Sequence, residues 1–147
     1  MKIALVCSSG GHLTEMLLLM EAFENHEIFF VTYDHPTTKK LGYKKFLIDN
    51  IGTNPWKMIK ASFKFLKILR REEPTLIIST GAEISVPCFI LARIMGIKTI
   101  YIESWCRVVH KSFSGKILYY FTNTFLVQWP QLLERYGKKA RYEGAVI

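Results

Sequence analysis

Short apolar runs alternate along this chain with segments of helical periodicity, and this alternation constrains the fold more than any other feature. The first run, Lys2–Cys7, leads directly into the glycine turn Ser8–Gly11, which is typical of a buried strand that turns into a helix. Because helices separate successive strands, the chain is predicted to have an α/β fold. We expect a Rossmann-like parallel sheet covered by helices on both faces.

Periodicity, capping residues and helix breakers predict seven strands and five helices. The strands are predicted at Lys2–Cys7, Glu27–Tyr33, Phe46–Asp49, Leu76–Ser79, Lys98–Glu103, Thr124–Gln128 and Ala140–Glu143. The helices are predicted at His12–Glu24, Pro55–Arg71, Ile84–Met95, Ser114–Tyr120 and Pro130–Tyr136. The chain has no internal repeat and no low-complexity linker, so residues 1–147 are predicted to form one domain.

Composition limits the class of partner. Half of the 147 residues are hydrophobic and the net charge is +8. The apolar share predicts a surface that meets a partner or a membrane. The charge favours nucleic acid, anionic lipid headgroups or sugar-nucleotide phosphates. The cysteines Cys7, Cys88 and Cys106 match no zinc or disulfide spacing, which indicates free thiols. No uncharged apolar run reaches the roughly 18 residues of a membrane-spanning helix.

The glycine turn Ser8–Gly11 is the first candidate site. In parallel sheets, ligands bind beyond the carboxyl ends of the strands, and a helix start attracts anions. Thr14 and Glu15 are expected in the first turn of the helix. The pattern is neither a dinucleotide nor a phosphate-loop motif, so NAD and ATP are disfavoured. His12 could act as a general base near neutral pH; the alternatives are a plain turn and a histidine that only caps or packs.

Two further strand ends carry candidate residues. Thr80 and Gly81 form a second glycine turn at the same sheet edge. Glu103 follows an apolar strand, where a carboxylate is costly unless it is paired or reaches the open edge. It could hydrogen-bond a sugar hydroxyl or orient a base, or it could form an ion pair with Arg107 or Lys116. Lys116 also suits a phosphate, although its segment could be only a helix cap.

The helix predicted at Pro55–Arg71 is amphipathic in an unusual way. Its basic residues form one narrow stripe, and apolar residues fill more of the circumference than a helix lying on a sheet requires. An anionic membrane surface is favoured as its partner; a solvated lysine face and a protein interface are the alternatives. No nucleic-acid-binding signature is present. The residues predicted to contact the membrane are Trp56, Lys57, Lys60, Phe63, Lys64, Lys67 and Arg71.

Five ordered segments resemble one known family. They read SSGGHLTEML, STGAEISVP, YIESWCRV, SFSGKILYYFTNTFLVQWPQL and YEGAVI. They are similar to the membrane-side subunit of split GlcNAc transferases and, more distantly, to the N-terminal half of the peptidoglycan GlcNAc transferase, which has a GT-B architecture. In eukaryotes that subunit recruits a separate catalytic partner for dolichol-linked oligosaccharide synthesis. Bacterial relatives act in capsule and exopolysaccharide synthesis.

The resemblance implies inverting transfer from a UDP-sugar to a polyprenyl-diphosphate-linked sugar, without metal or cofactor. It implies a heterodimer in which a donor-binding glycosyltransferase subunit completes the site at the cytoplasmic face of the membrane. Eukaryotic members carry an N-terminal membrane-spanning helix, and this chain starts with its first strand, which favours a bacterial, peripheral member. The alternatives are a purely non-catalytic anchor or activator and a free-standing epimerase, which the motifs disfavour.

The residues that match the family's motifs carry the predicted roles. His12 is the expected base or acceptor contact, assisted by Glu103. The segment YEGAVI resembles the strand that leads into the second domain of one-chain relatives. The residues predicted to bind substrate are Ser9, Gly10, Gly11, Thr14, Thr80, Gly81, Ser104, Arg107, Ser114, Gly115, Lys116, Gln128 and Trp129.

Overall fold

The computed structural model describes residues 1–146, and its seven strands form one parallel sheet. Ile147, the last residue of the predicted domain, lies outside the described residues. The strands are β1 (Lys2–Val6), β2 (Glu27–Tyr33), β3 (Lys45–Ile48), β4 (Leu76–Ser79), β5 (Lys98–Ile102), β6 (Thr124–Val127) and β7 (Ala140–Tyr142). Each predicted strand agrees with these bounds to within one residue at either end, and the predicted fold class is confirmed.

Six helices and one 3₁₀ segment connect the strands. They are α1 (Gly11–Leu18), the 3₁₀ helix (Met20–Phe23), α2 (Pro36–Lys39), α3 (Pro55–Glu72), α4 (Ser85–Met95), α5 (Phe113–Leu118) and α6 (Gln131–Tyr136). The single helix predicted at His12–Glu24 is wrong in its second half. There the amide of Leu19 donates to the carbonyl of Met16, and such three-residue bonds tighten the chain into 3₁₀ geometry.

The four-residue helix α2 has no counterpart in the sequence predictions. The Nδ1 atom of His35 accepts from the amide of Thr37, and Pro36 occupies the first helical position. Proline is pre-organised for that position because its φ is fixed. A single capped turn carries no periodicity, and only the strand break at this segment was predictable.

The two faces of the sheet bury separate clusters. Residues alternate between the faces along a strand, so in β1 Ala4 and Val6 face one cluster while Ile3 and Leu5 face the other. The helices α3 to α6 cover the first cluster through residues such as Phe65, Leu69, Phe89, Leu118 and Leu132. The helix α1 and the 3₁₀ segment cover the second through Leu13, Met16 and Phe23.

The strand order β3-β2-β1-β4-β5-β6-β7 positions the site. The chain winds outward from β1 to β3 in one direction and from β4 to β7 in the other. In open parallel sheets this reversal leaves a crevice beyond the carboxyl ends of the two central strands. The loops after β1 and β4 therefore meet at the start of α1.

A buried carboxylate ties the opposite end of the sheet to α3. The side chain of Glu72 is 3% exposed and lies 2.8 Å from the Nζ atom of Lys2 and 2.7 Å from that of Lys44. Hydrogen bonds from Lys2 and then Lys44 lower the pKa of Glu72 against the effect of burial. This ion-pair cluster joins the start of β1 and the residue before β3 to the last turn of α3.

Candidate functional site

A cavity of about 490 Å³ opens at the carboxyl ends of β1, β4 and β5. Loops from three different strands supply its walls, at the sheet edge where the sequence analysis expects a ligand. Its lining residues are Gly11, His12, Glu15, Ala82, Glu83, Ser104, Cys106, Arg107, Ser112, Phe113 and Ser114.

One hydrogen bond fixes the tautomer of His12. Its Nδ1 atom lies 2.9 Å from the carbonyl oxygen of Thr80, and the Thr80 hydroxyl donates to the carbonyl of His12 at 2.6 Å. Since a carbonyl oxygen only accepts, Nδ1 must carry the proton. In the neutral ring, Nε2 is then the unprotonated nitrogen and can accept a proton from a substrate hydroxyl.

The turn after β4 is shaped around the His12 ring. A Cβ atom at Gly81 would lie 2.8 Å from Cε1 and 2.9 Å from Nδ1 of His12, and the backbone φ of Gly81 is +119°. Only glycine fits this position without moving the ring. The next residue, Ala82, has a φ of +73°, which costs a non-glycine residue about 1 kcal/mol. The Gly81–Ala82 turn therefore holds a strained backbone against the imidazole.

The glycine turn after β1 is only partly at the cavity. Gly11 lines it, whereas Ser9, Gly10 and Thr14 do not. The Thr14 hydroxyl donates to the carbonyl of Gly10 at 3.3 Å. Within residues 1–146, no atom beyond the adjoining residues and the backbone of α1 lies within 4 Å of a Cβ built on Gly10 or Gly11, so the space in front of this turn is open.

Glu103 lies behind the cavity wall. The residue is fully buried and does not line the cavity. Its carboxylate accepts from the amide of Ser104 at 3.0 Å, from the amide and hydroxyl of Ser112 at 3.1 and 2.8 Å, and from the hydroxyl of Tyr136. Within residues 1–146 it forms no ion pair with Arg107 or Lys116. Neutral donors thus make Glu103 a fixed support for the loop between β5 and α5.

The start of α5 packs tightly around this carboxylate. A Cβ atom at Gly115 would overlap the hydroxyl of Tyr136 and the carboxylate of Glu103. Burial raises the pKa of Tyr136, so its hydroxyl stays protonated as a donor. Ser114 lines the cavity, and its hydroxyl lies 2.8 Å from that of Tyr101. Lys116 is exposed and lies outside the cavity lining, so of the predicted residues Ser114, Gly115 and Lys116 only Ser114 lines the cavity.

The predicted site residues did not include Glu15, whose carboxylate lines the cavity. Glu15 is 1% exposed and accepts from the hydroxyl of Ser104 and the side-chain amide of Gln128, both at 2.8 Å. It is the fifth residue of α1 rather than part of the first turn. Its spacing of three residues from His12 places both side chains on one face of the helix, and this was the signal that could have identified it.

Gln128 and Trp129 support the cavity without lining it. The Gln128 amide nitrogen also donates to the carbonyl of Glu103 at 3.0 Å, and its oxygen accepts from the amide of Val146 at 2.9 Å. The indole of Trp129 donates to the carbonyl of Trp105. These bonds connect the loop after β5 to the segment after β7.

Among the described residues that line the cavity, Arg107 is the one lysine or arginine, and the acidic residues are Glu15 and Glu83. The hydroxyl of Tyr33 donates to Glu83 at 2.9 Å, which fixes the carboxylate at the rim. Cys106 is the exposed thiol of the cavity. Cys7 and Cys88 are buried, and burial raises the pKa of Cys7 to about 12. All three cysteines are free thiols, as predicted.

The outer face of α3 is a second candidate surface, separate from the residues that line the cavity. Ala61, Phe65 and Leu69 are buried, whereas Trp56 is 79% and Phe63 70% exposed. The predicted surplus of apolar surface on this helix is thereby confirmed. The remaining predicted membrane residues, all exposed, are Lys57, Lys60, Lys64, Lys67 and Arg71. No helix in the described part of the chain has the length and apolar character needed to traverse a bilayer.

The fold of this chain has counterparts among solved structures. The sheet corresponds to the Rossmann-like N-terminal half of GT-B glycosyltransferases, as the crystal structure of Acinetobacter baumannii MurG illustrates. It is similar with a TM-score of 0.79 at 16% identity, over 97% of this chain and 45% of that chain. UDP-N-acetylglucosamine 2-epimerase from Rickettsia bellii is similar with a TM-score of 0.80 at 14% identity, over 99% and 45%. The chain spans about half the length of these enzymes, and the likeness shows the fold alone.

Residues 47–146 match the family described as oligosaccharide biosynthesis protein Alg14 like, and this chain belongs to that family. The human UDP-N-acetylglucosamine transferase subunit ALG14 is 29% identical over 182 residues, which cover all of this chain and 83% of that protein. The UDP-N-acetylglucosamine--N-acetylmuramyl-(pentapeptide) pyrophosphoryl-undecaprenol N-acetylglucosamine transferase of Oceanobacillus iheyensis is 28% identical over 118 residues, covering 80% of this chain and 32% of that protein.

Proposed function

We propose that this chain is the acceptor- and membrane-binding subunit of a two-component glycosyltransferase. The complex would transfer a sugar from a UDP-sugar to a polyprenyl-diphosphate-linked acceptor. Two relatives support this class: the human protein is named as a transferase subunit, and the Oceanobacillus protein acts on a pyrophosphoryl-undecaprenol substrate. The observation that carries the proposal is His12, which keeps Nε2 free at a cavity on the switch point of the sheet.

The proposed chemistry is a single displacement with inversion. The Nε2 atom of His12 takes the proton of an acceptor hydroxyl, and that oxygen attacks the anomeric carbon of the donor sugar. The bond from this carbon to the diphosphate oxygen breaks, and UDP leaves with the electron pair. Positioned proton transfer of this kind contributes typically 10²–10⁴-fold to a rate. The step as proposed uses no metal and no cofactor.

A separate donor-binding subunit completes the proposed site. The human relative, of which this chain covers 83%, is named as a transferase subunit. Arg107 lines the cavity, and its guanidinium suits the diphosphate of the acceptor by bidentate hydrogen bonds. We assign the UDP-sugar to the partner subunit, with which this chain would form a heterodimer.

The α3 face supports a peripheral position at the cytoplasmic face of the membrane. Exposed Trp56 and Phe63 lie beside exposed lysines, the arrangement of a helix that lies in an anionic lipid interface. In a bacterial cell, the product would be a precursor of capsule or exopolysaccharide. In a eukaryotic cell, it would be a lipid-linked oligosaccharide.

A non-catalytic anchor is the second candidate, favoured by the enclosed position of Glu103. A transfer assay can distinguish the anchor from the transferase subunit. The donor is UDP-GlcNAc, and the acceptor is an N-acetylglucosaminyl diphosphate on a short isoprenoid. We expect activity from the complex and none from either subunit alone. Substantial turnover by the partner alone on this soluble acceptor would support the anchor, and inactivity of the complex with every UDP-sugar would refute the transferase.

A further inference from the structure

We propose that Glu15 binds a hydroxyl group of the acceptor sugar and so positions the acceptor beside His12. This inference rests on the function proposed above. Glu15 and His12 lie three residues apart on α1, and both line the cavity. Side chains at this spacing are neighbours, with about 5–6 Å between their Cβ atoms. One sugar ring can therefore contact both groups.

The Glu15 carboxylate has unused capacity to accept hydrogen bonds. Its Oε1 atom accepts from the hydroxyl of Ser104, and its Oε2 atom from Gln128 and, at 3.4 Å, from the amide of Trp105. An ionised carboxylate offers about four acceptor sites, so Oε1 can accept another donor. Within residues 1–146 no ion pair includes Glu15. A hydroxyl from the cavity would compensate part of the cost of burying this charge.

The surrounding loops fix the direction of this carboxylate. Ser104 follows β5 and Gln128 follows β6, and Gln128 is itself held by the carbonyl of Glu103 and the amide of Val146. Glu15 therefore cannot turn into solvent without breaking bonds to two strand ends. The Glu15 carboxylate is held in one direction and only accepts hydrogen bonds, so it is complementary to a donor that is also held in place. A sugar hydroxyl is such a donor once the ring is bound.

The charges of the lining predict which way the acceptor lies. Among the described residues of the lining, Glu15 and Glu83 would repel a diphosphate, whereas Arg107, the one lysine or arginine there, would attract it. The sugar end should then point towards α1, and the diphosphate should lie at the loop after β5. This orientation brings a sugar hydroxyl, rather than a phosphate oxygen, to His12.

Glu15→Gln tests this assignment in the complex with the donor-binding subunit. The amide preserves the shape of the side chain, and it can still accept from Gln128 while its NH₂ donates to Ser104. The charged acceptor is lost, so we expect the KM for the isoprenoid-diphosphate GlcNAc probe to rise about tenfold or more. The KM for UDP-GlcNAc should stay within about twofold, and Tm within about 2 °C. Exposed Glu21→Gln is the matched control and should change neither KM.

A second readout uses Cys106, the exposed thiol of the cavity. Saturating probe should protect it from N-ethylmaleimide, and the Glu15→Gln complex should need about ten times more probe for equal protection. An unchanged acceptor KM in the folded variant overturns the assignment. A fall in Tm and kcat without a change in that KM also overturns it, because a structural residue behaves so. If the wild-type complex transfers nothing to the probe, the proposed function falls as well.

Discussion

The cavity wall beside α1 and the outer face of α3 differ in how their charged side chains are bound. Glu15 in the cavity wall and Glu103 behind it are buried, and hydroxyl and amide groups hold their carboxylates in place. On α3 the basic side chains are exposed, and within residues 1–146 their acidic contacts are long, between Lys64 and Asp49 at 4.0 Å and between Arg71 and Glu72 at 3.8 Å. A rigid polar wall suits positioning for chemistry, whereas mobile lysines suit a fluid anionic surface.

Gly81→Ala should have the largest effect on this comparison, because it would disturb the rigid wall. The added Cβ atom would clash with the His12 ring at a φ of +119°, so we expect a loss of about 3 kcal/mol in the free energy of unfolding. The displaced ring should also lower transfer by about 100-fold or more. Urea denaturation and the transfer assay measure the two effects.

Gly42→Ala is the matched control for this substitution. In the described part of the chain, no atom beyond the adjoining residues lies within 4 Å of a Cβ atom at Gly42, and the change should alter the free energy of unfolding by less than about 0.5 kcal/mol. Equal effects at Gly81 and Gly42 would show that the turn after β4 is not shaped around His12.

Neutralising the α3 face should leave the wall intact and weaken only membrane binding. Each surface lysine contributes about 1 kcal/mol near an anionic bilayer, so Lys60→Gln with Lys67→Gln should reduce binding about 30-fold. Sedimentation with vesicles that contain anionic phosphatidylglycerol measures this, because anionic lipids attract basic segments. Exposed Lys138→Gln with Lys98→Gln is the control pair. Equal losses for both pairs would mean that net charge, rather than the α3 face, drives binding.

The smallest effect is expected at the Glu72 ion pairs, on the opposite end of the sheet. Because the pKa of Glu72 is lowered in the folded chain, its contribution is present above the ordinary glutamate pKa and is lost as the pH falls through the folded value. Glu72→Gln should therefore lower Tm by about 2–4 °C at pH 7 and by progressively less below pH 4.5. Thermal melts of the wild type and the variant across pH 3 to 7 measure this. A difference in Tm that stays constant or grows as the pH falls would contradict the expectation.

The local sequence pattern was sufficient to predict the sheet, but it was not sufficient to predict the contacts of the site. The strands are apolar runs bounded by turns, so their positions followed from the sequence. The role of Glu103 depends on which way its carboxylate turns, and donors from Ser112 and Tyr136 decide this. Glu15 is held by groups 89 and 113 residues further along the chain. Such contacts depend on the tertiary fold and leave no periodic signal.

His12 shows the same division between local and long-range information. Its place at a strand-to-helix turn was readable from the glycines before it. The tautomer depends on the carbonyl of Thr80, which lies 68 residues away, and the fit depends on the close approach of Gly81. The need for glycine at Gly81 becomes clear only from the structure, in which the His12 imidazole packs against it.

We propose above that this chain contributes the proton-accepting side of the transferase site, and His12→Ala in the assembled complex tests this most directly. We predict that kcat falls by about 10²–10⁴, while size-exclusion chromatography shows the same complex with its partner and Tm changes little. Full transfer activity in a complex of unchanged size and stability would contradict the claim, because His12 would then take no part in the reaction.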